Sequence, residues 1–414
     1  MGGAKPFNIP KRIVWESWKK VRANRGAAGV DEETLEGFER NLKSNLYKLW
    51  NRMSSGSYFP KPVKVVEIPK KTGGVRRLGV PCILDRVAQT VVQQWLEPEL
   101  EAVFHRDSYG YRPGKSALEA IGVTRERCWR YDWVLELDIR GAFDNIDHEL
   151  LMKAVRKHTS CKWALLYIER WLVAPFQHEK GQQEERVKGT PQGGVISPLL
   201  MNLFLHYAFD AWMTRQHPGM PFARYADDGL VHCRTLEEAE RVKAELAVRF
   251  EECCLELHPD KSGIVYCKDS NRRGKGARNS FDFLGYTFRG RLAKSRANKF
   301  FCSFGPAISR ESMKRIRATM RSWKIPRRTG MAIQGIAAAV NPVMSGWCNY
   351  YGAYSSSIFQ GFIKCFDWIL LKWVRNKYRS KRGYKKAEEW LKHFAERESR
   401  YFVHWAKQAT PTVG

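Results

Sequence analysis

The 414-residue chain carries 71 Lys and Arg against 43 Asp and Glu, a formal net charge of +28. That length allows two or three domains with buried cores. The charge excess is unlike an ordinary soluble enzyme and points to a polyphosphate partner. Ten cysteines occur without a Cys-x-x-Cys pair, only Cys253 and Cys254 being neighbours, which argues against a zinc ribbon or a disulfide framework and for a reducing, cytoplasmic setting.

The N-terminus holds Lys5, Lys11, Arg12, Lys19 and Lys20 with no apolar run, so no signal peptide is expected. Residues 12–53 read as two helices, one striped by Val14, Trp18 and Val21, the other by Leu35, Phe38, Leu42, Leu46 and Leu49, with Asp31 as N-cap. Arg25-Gly-Ala-Ala-Gly-Val-Asp31 between them reads as a loop. Val63, Val65 and Ile68 lead through Lys70-Lys-Thr-Gly-Gly74 into a second run from Val75 to Val80, a hairpin pattern. Residues 83–104 are helical in spacing. Tyr131 to Ile139 reads as a strand that ends in an acid, Asp138, and Asp147 to His158 as a helix.

Phe222-Ala-Arg-Tyr-Ala-Asp-Asp-Gly-Leu-Val-His232 follows. Two short apolar runs joined at Ala226-Asp227-Asp228 suit a tight hairpin with two adjacent acids at its turn. Taken alone, such a pair is most often a solvated Asx turn. A cation between the acids is the other reading. Thr235-Leu-Glu-Glu238 is a capping box opening the next helix. Residues 268–280 read as a polar loop, residues 281–288 as one strand, and the chain after 305 as helical. Thr329 to Ile363 lacks charges, but Gln334, Asn341, Pro342 and Asn349 interrupt it, which suits a buried helical segment better than a membrane span. From Arg291 onward there are 25 Lys or Arg against 6 Asp or Glu, so +19 of the +28 lies in the last third.

If the strand before Asp138 neighbours the hairpin, three carboxylates meet at one place. Such a group can hold two Mg²⁺ ions about 3.5–4 Å apart, the arrangement for in-line phosphoryl displacement. Mn²⁺ is a possible substitute. Lys70 and Arg76 flank a Gly-Gly turn and could reach a triphosphate; a solvated hairpin tip is the alternative. Gly189-Thr-Pro-Gln-Gly-Gly-Val-Ile-Ser-Pro198 sets flexible backbone before an apolar helix, able to lie under a nucleotide or simply to open that helix.

The order of these stretches resembles the reverse transcriptases encoded by group II introns. The resemblance rests on Arg25-Gly-Ala-Ala-Gly-Val-Asp31, Val66-Glu-Ile-Pro-Lys-Lys-Thr-Gly-Gly-Val-Arg76 and Ser108-Tyr-Gly-Tyr-Arg-Pro113. It continues through Leu137-Asp-Ile-Arg-Gly-Ala-Phe-Asp-Asn-Ile-Asp-His148, Gly189-Thr-Pro-Gln-Gly-Gly194, Tyr225-Ala-Asp-Asp228, His258-Pro-Asp-Lys-Ser262 and Phe283-Leu-Gly-Tyr286. Ser345-Gly-Trp-Cys-Asn-Tyr-Tyr-Gly352 is similar to the thumb or maturase segment of these proteins, and Arg400-Tyr-Phe-Val-His-Trp405 to their C-terminal end.

The resemblance implies an α+β right-hand polymerase: an N-terminal extension with a template-lid loop (residues 1–57), fingers and palm with a small antiparallel sheet (58–290), and a basic helical thumb or maturase domain (291–414). It implies Asp138, Asp227 and Asp228 as catalytic metal-binding acids, with the Ile139 carbonyl as a further ligand. Lys70, Arg76 and Gln192 would hold the incoming nucleotide, and Phe143 would exclude a 2′-hydroxyl or simply be a core aromatic. Lys261 is a proton donor to pyrophosphate or an ordinary surface lysine. Arg25, Gly26, Gly29, Arg112 and Tyr225 would touch template or primer. The implied partners are an RNA template, structured intron RNA, a DNA or RNA primer and dNTPs, with no membrane, in a bacterial cytosol or nucleoid.

Many relatives continue into an endonuclease with paired cysteines. This sequence has no such cysteines and no His-Asn-His spacing, so it is not expected to cut a target strand itself. Three uses follow: intron splicing and mobility, host DNA repair or defence by a domesticated enzyme, or a maturase whose polymerase is idle.

Overall fold

The computed structural model describes residues 5–69, 75–295 and 297–408. Two compact units divide the chain: Met1–Ala120 with Leu135–Ile264, and Ile121–Val134 with Val265–Gly414. The second unit thus begins its main stretch at Val265 and also takes a piece from the middle of the sequence. Strands are numbered β1 Val63–Pro69, β2 Val75–Val80, β3 Trp133–Leu137, β4 Phe176–Gln177, β5 Gln183–Glu184, β6 Phe222–Tyr225, β7 Asp228–Cys233, β8 Gly263–Tyr266, β9 Ser280–Phe283, β10 Tyr286–Lys294 and β11 Phe300–Ile308.

In the first unit, three N-terminal helices replace the two expected: Lys11–Ala23, Leu35–Arg40 and Leu42–Ser55. Thr34, not Asp31, caps the second, its side chain accepting from Gly37 N. Asp31 instead takes an ion pair from Lys61, 3.0 Å away. Trp18 stacks on Phe38 at 4.9 Å, both fully buried, which explains why the two apolar stripes fold together.

β1 and β2 form the expected antiparallel hairpin, from Lys64↔Val80 to Pro69↔Val75. Its tip, including Lys70, lies outside the described residues. The central sheet has the order β6-β7-β3-β8. β6 and β7 pair with Tyr225 opposite Asp228, leaving a two-residue turn of Ala226 and Asp227. The helix Ile83–Glu101 is buried over nearly its whole first half, which is why charged Asp85 and Arg86 inside it have partners.

In the second unit the single strand expected over 281–288 is two, β9 and β10. Leu284 and Gly285 both have positive φ, 49° and 80°, and make a two-residue hairpin with Tyr286 opposite Phe283. Strand pairing with β10 also carries β11 to Ile308, past the expected start of helix at 305. Ser309 then caps Arg310–Ser322 by accepting from Ser312 N. The remaining helices, among them Ile333–Tyr351 and Cys365–Lys377, enclose a core of Ile316, Met320, Ile336, Met344, Phe366 and Trp373. Asp367 on the latter helix accepts from Trp405 Nε1 at 2.8 Å and so ties down the C-terminal segment. Among the described residues no helix is long and apolar enough to cross a membrane.

Candidate active site

Asp138 sits directly after β3, and Asp227 and Asp228 sit at the β6–β7 turn. Because β7 and β3 are sheet neighbours, the two positions come together. Gly229 lies against Leu137, where a Cβ would stand 3.4 Å from the leucine side chain. Burial, then Asp227, Asp138 and Glu136, push the Asp228 carboxyl up to about 7. Asp228 nevertheless has a face open to solvent, so surrounding protein weakens its solvation without sealing the group off. Burial first and Asp138 next also raise Asp227, against the opposing pull of Arg76 and Lys261.

Asp138 is held by its backbone. Its N–H donates to Ser262 Oγ at 3.1 Å, and its carbonyl accepts from His258 N at 2.8 Å. The turn His258-Pro-Asp-Lys-Ser262 is thus the cradle of this acid, and Lys261 Nζ lies 3.1 Å from Asp138 Oδ2. Ile139 bridges Leu257, but the hydrogen bonds there belong to the neighbours, Arg140 N to Glu256 O and His258 N to Asp138 O. The Ile139 carbonyl takes no part in them.

Among the described residues, no three His, Cys, Asp or Glu side chains are grouped as a metal site would group them. The chemistry of the donors nevertheless fits a hard divalent cation. Asp138 raises the proton affinity of both turn acids, and Asp227 that of Asp228, although Lys261 opposes this at both, and oxygen donors are what Mg²⁺ takes.

The other expected residues divide. Arg76 on β2 donates from Nε to Gln192 Oε1 at 2.6 Å, so these two are brought together. Gln192 belongs to a loop packed on β2, where Gly79 N donates to Gln192 O at 2.7 Å. Gly193 has φ 112°, and a Cβ there would meet Gly79 O at 2.6 Å, so this approach requires glycine. The same loop is bound to Phe143, whose carbonyl accepts from Thr190 N at 2.7 Å. Phe143 is buried. Tyr225 is half-buried beside the acids.

Arg25 is exposed with φ 45°, next to Gly26 and Gly29, which lie tight against Arg86 and Cys82. Arg86 Nη2 donates to Ala27 O and Nε to Pro81 O, so the loop is moored to the Ile83–Glu101 helix. The Arg112 guanidinium is buried and bonded to Glu101 and to the carbonyls of His105 and Ser108.

Sequence reasoning missed the supports. Gln89 Oε1 accepts from Val195 N at 2.8 Å and fixes the end of the glycine loop. Tyr111, exposed and raised in pKa by burial and then by Asp227, stands near the acids. Arg224 lies fully buried under the Asp227 turn. An arginine at a strand position that reads as apolar was the available signal.

Residues 68–288 match the family model described as "Reverse transcriptase (RNA-dependent DNA polymerase)". The chain belongs to the reverse transcriptase family. Residues 313–391 of this reverse transcriptase match a second model, "Group II intron, maturase-specific domain". It is similar to Protein YkfC of Escherichia coli (strain K12), 29% identical over 358 residues, 75% of this chain and 88% of that protein. It is 34% identical over 198 residues to the group II intron-encoded protein LtrA of Lactococcus lactis subsp. cremoris, covering 47% of this chain and 32% of LtrA. With the putative COX1/OXI3 intron 1 protein of Saccharomyces cerevisiae it shares 30% over 199 residues, 48% of this chain and 23% of that protein. The matched region thus spans most of YkfC and about a third or less of the two intron proteins.

Proposed function

We propose that this reverse transcriptase copies RNA into DNA by two-metal nucleotidyl transfer at Asp138, Asp227 and Asp228. The observation that carries the reading is that sheet order sets Asp138, at the end of β3, beside the β6–β7 turn, where its charge raises the carboxyls of both Asp227 and Asp228. Divalent cations bound by these carboxylates and the Ile139 carbonyl would supply Lewis acidity to a primer 3′-hydroxyl and neutralise charge on pyrophosphate.

The protein's own groups do the rest. Arg76 and Gln192, already joined, hold the incoming triphosphate, with Lys70 as a second cation. Phe143 stands under the sugar and collides with a 2′-hydroxyl. Lys261, 3.1 Å from Asp138 Oδ2, neutralises that acid between turnovers and hands a proton to the leaving group. Arg25 and the loop through Gly26 and Gly29 cover the template.

The basic C-terminal third binds structured intron RNA through phosphates, so that splicing and mobility use the same chain, and binding falls steeply with salt. The test is Mg²⁺-dependent cDNA synthesis by the wild type and by Asp227→Ala. A folded Asp227→Ala protein that still extends primers at the wild-type rate rejects the assignment of these acids.

A further inference from the structure

We propose that Arg224, clamped by Asp210, is a positioning residue that sets the Ala226–Asp227–Asp228 turn and through it the affinity for divalent cations. This rests on the reading of that turn as the metal site. Arg224 Nε and Nη2 donate to the two oxygens of Asp210 at 2.7 and 2.6 Å, with both side chains shut off from solvent. The remaining guanidinium nitrogen, Nη1, donates to the Ala226 carbonyl at 2.9 Å and to Asn202 Oδ1 at 3.1 Å. Asn202 Nδ2 in turn donates to Gly110 O at 2.7 Å. Gly110 is pressed against the turn: a Cβ there would meet Ala226 N at 2.4 Å.

The turn needs such support. Ala226 has φ 56°, a left-handed conformation that is unfavourable for a residue other than glycine. A conformation of that kind persists where its surroundings over-determine it. Here the hydrogen bond at its carbonyl and the backbone of Gly110 do so from two sides.

The helix that supplies the clamp is built for it. Asn202 and Asp210 are eight positions apart, which on a continuous α-helix at about 100° per residue would set them about 80° apart. The chain passes instead through a π-helical turn, His206–Asp210. Its extra residue cancels most of that angle and brings both side chains onto one face, toward Arg224. Asp210 neutralises the guanidinium, so Arg224 acts on the geometry of the turn and adds little charge beside the acids. A lysine at 224 would keep the charge and lose the planar fork that reaches Asp210 and Ala226 together.

The experiment compares Mn²⁺ binding by electron paramagnetic resonance, metal alone with the full chain, for the wild type, Arg224→Lys and Asn202→Ala. Primer extension and thermal unfolding are run alongside. We expect Arg224→Lys to weaken Mn²⁺ binding about tenfold and to lower kcat while leaving KM for template–primer unchanged. Asn202→Ala keeps the ion pair and is expected to give a smaller shift in the same direction, so it serves if the lysine variant does not fold. Introducing Ala226→Gly beside Arg224→Lys should recover part of the Mn²⁺ affinity, because glycine adopts the left-handed turn without the clamp. Wild-type Mn²⁺ affinity in folded Arg224→Lys or Asn202→Ala, with only the unfolding temperature lowered, overturns the proposal. A wild type that binds Mn²⁺ but makes no cDNA rejects the polymerase reading instead, and leaves the role of Arg224 to be judged on binding alone.

Discussion

Lys261 Nζ stands 3.1 Å from Asp138 Oδ2, and the two are brought together by a turn whose backbone also holds Asp138 in place. The lysine thus occupies one face of an acid assigned to a cation. It is half exposed, so water and salt screen the pair, and an ion pair of that kind is worth roughly 0.2–1 kcal/mol.

A competitor of that strength sets the size of the effect. Lys261→Gln is expected to lower the Mg²⁺ concentration for half-maximal synthesis by up to about fivefold, the factor that corresponds to 1 kcal/mol. If Lys261 also supplies a proton, kcat at saturating Mg²⁺ falls in the same variant. A Mg²⁺ titration of primer extension reads both, and an unchanged or increased Mg²⁺ requirement rejects the competition.

Arg86 holds the Ala27 and Pro81 carbonyls from the Ile83–Glu101 helix. Arg86→Ala leaves both without that donor, at a cost of about 1–3 kcal/mol concentrated in the loop. Trypsin cleavage after exposed Arg25 should speed up about fivefold or more, the response to at least about 1 kcal/mol. Cleavage at the wild-type rate would show that other contacts hold the loop.

Burial raises the Asp85 carboxyl from 3.8 to about 6, while its oxygens accept from Tyr58 OH at 2.6 Å and Lys61 N at 3.2 Å. The folded protein therefore binds a proton here more tightly than the unfolded chain. Its contribution to stability is full below about pH 4 and is lost as pH rises through about 6, a change of roughly 3 kcal/mol. Measured against Asp85→Asn, wild-type stability should decline over that window and then level off. A difference that is constant from pH 4 to 7 counts against the shift.

Phe143 is buried and linked through its carbonyl to the glycine loop at Thr190. Full truncation of a buried phenylalanine costs about 3–5 kcal/mol, so Phe143→Val is the gentler probe. It should raise the use of ribonucleotides relative to deoxyribonucleotides at least tenfold with little change in deoxyribonucleotide KM. Unaltered discrimination would return Phe143 to the core.

Local pattern carried much of this protein. Two short apolar runs on either side of Ala226-Asp227 made the hairpin legible, because run length and turn length are properties of neighbouring residues. The spacing of Gly189 to Gly194 and the acid at the end of β3 were legible for the same reason. Contacts between distant segments were not. Sequence cannot say that β7 lies beside β3, since strand order depends on which faces find cover. Nor does it say that Arg112 bonds to Glu101. Leu284-Gly285 looked like the middle of a strand and is a turn, decided by positive φ at both positions. Asp210, Asn202 and Arg224 meet only because a π turn rotates one helix face under the hairpin. The sequence by itself determined which chemistry was present, since residue types and their spacing are local. Which acid meets which cation, and what holds the turn between them, was decided by tertiary packing, where burial forces each charged group to find a partner.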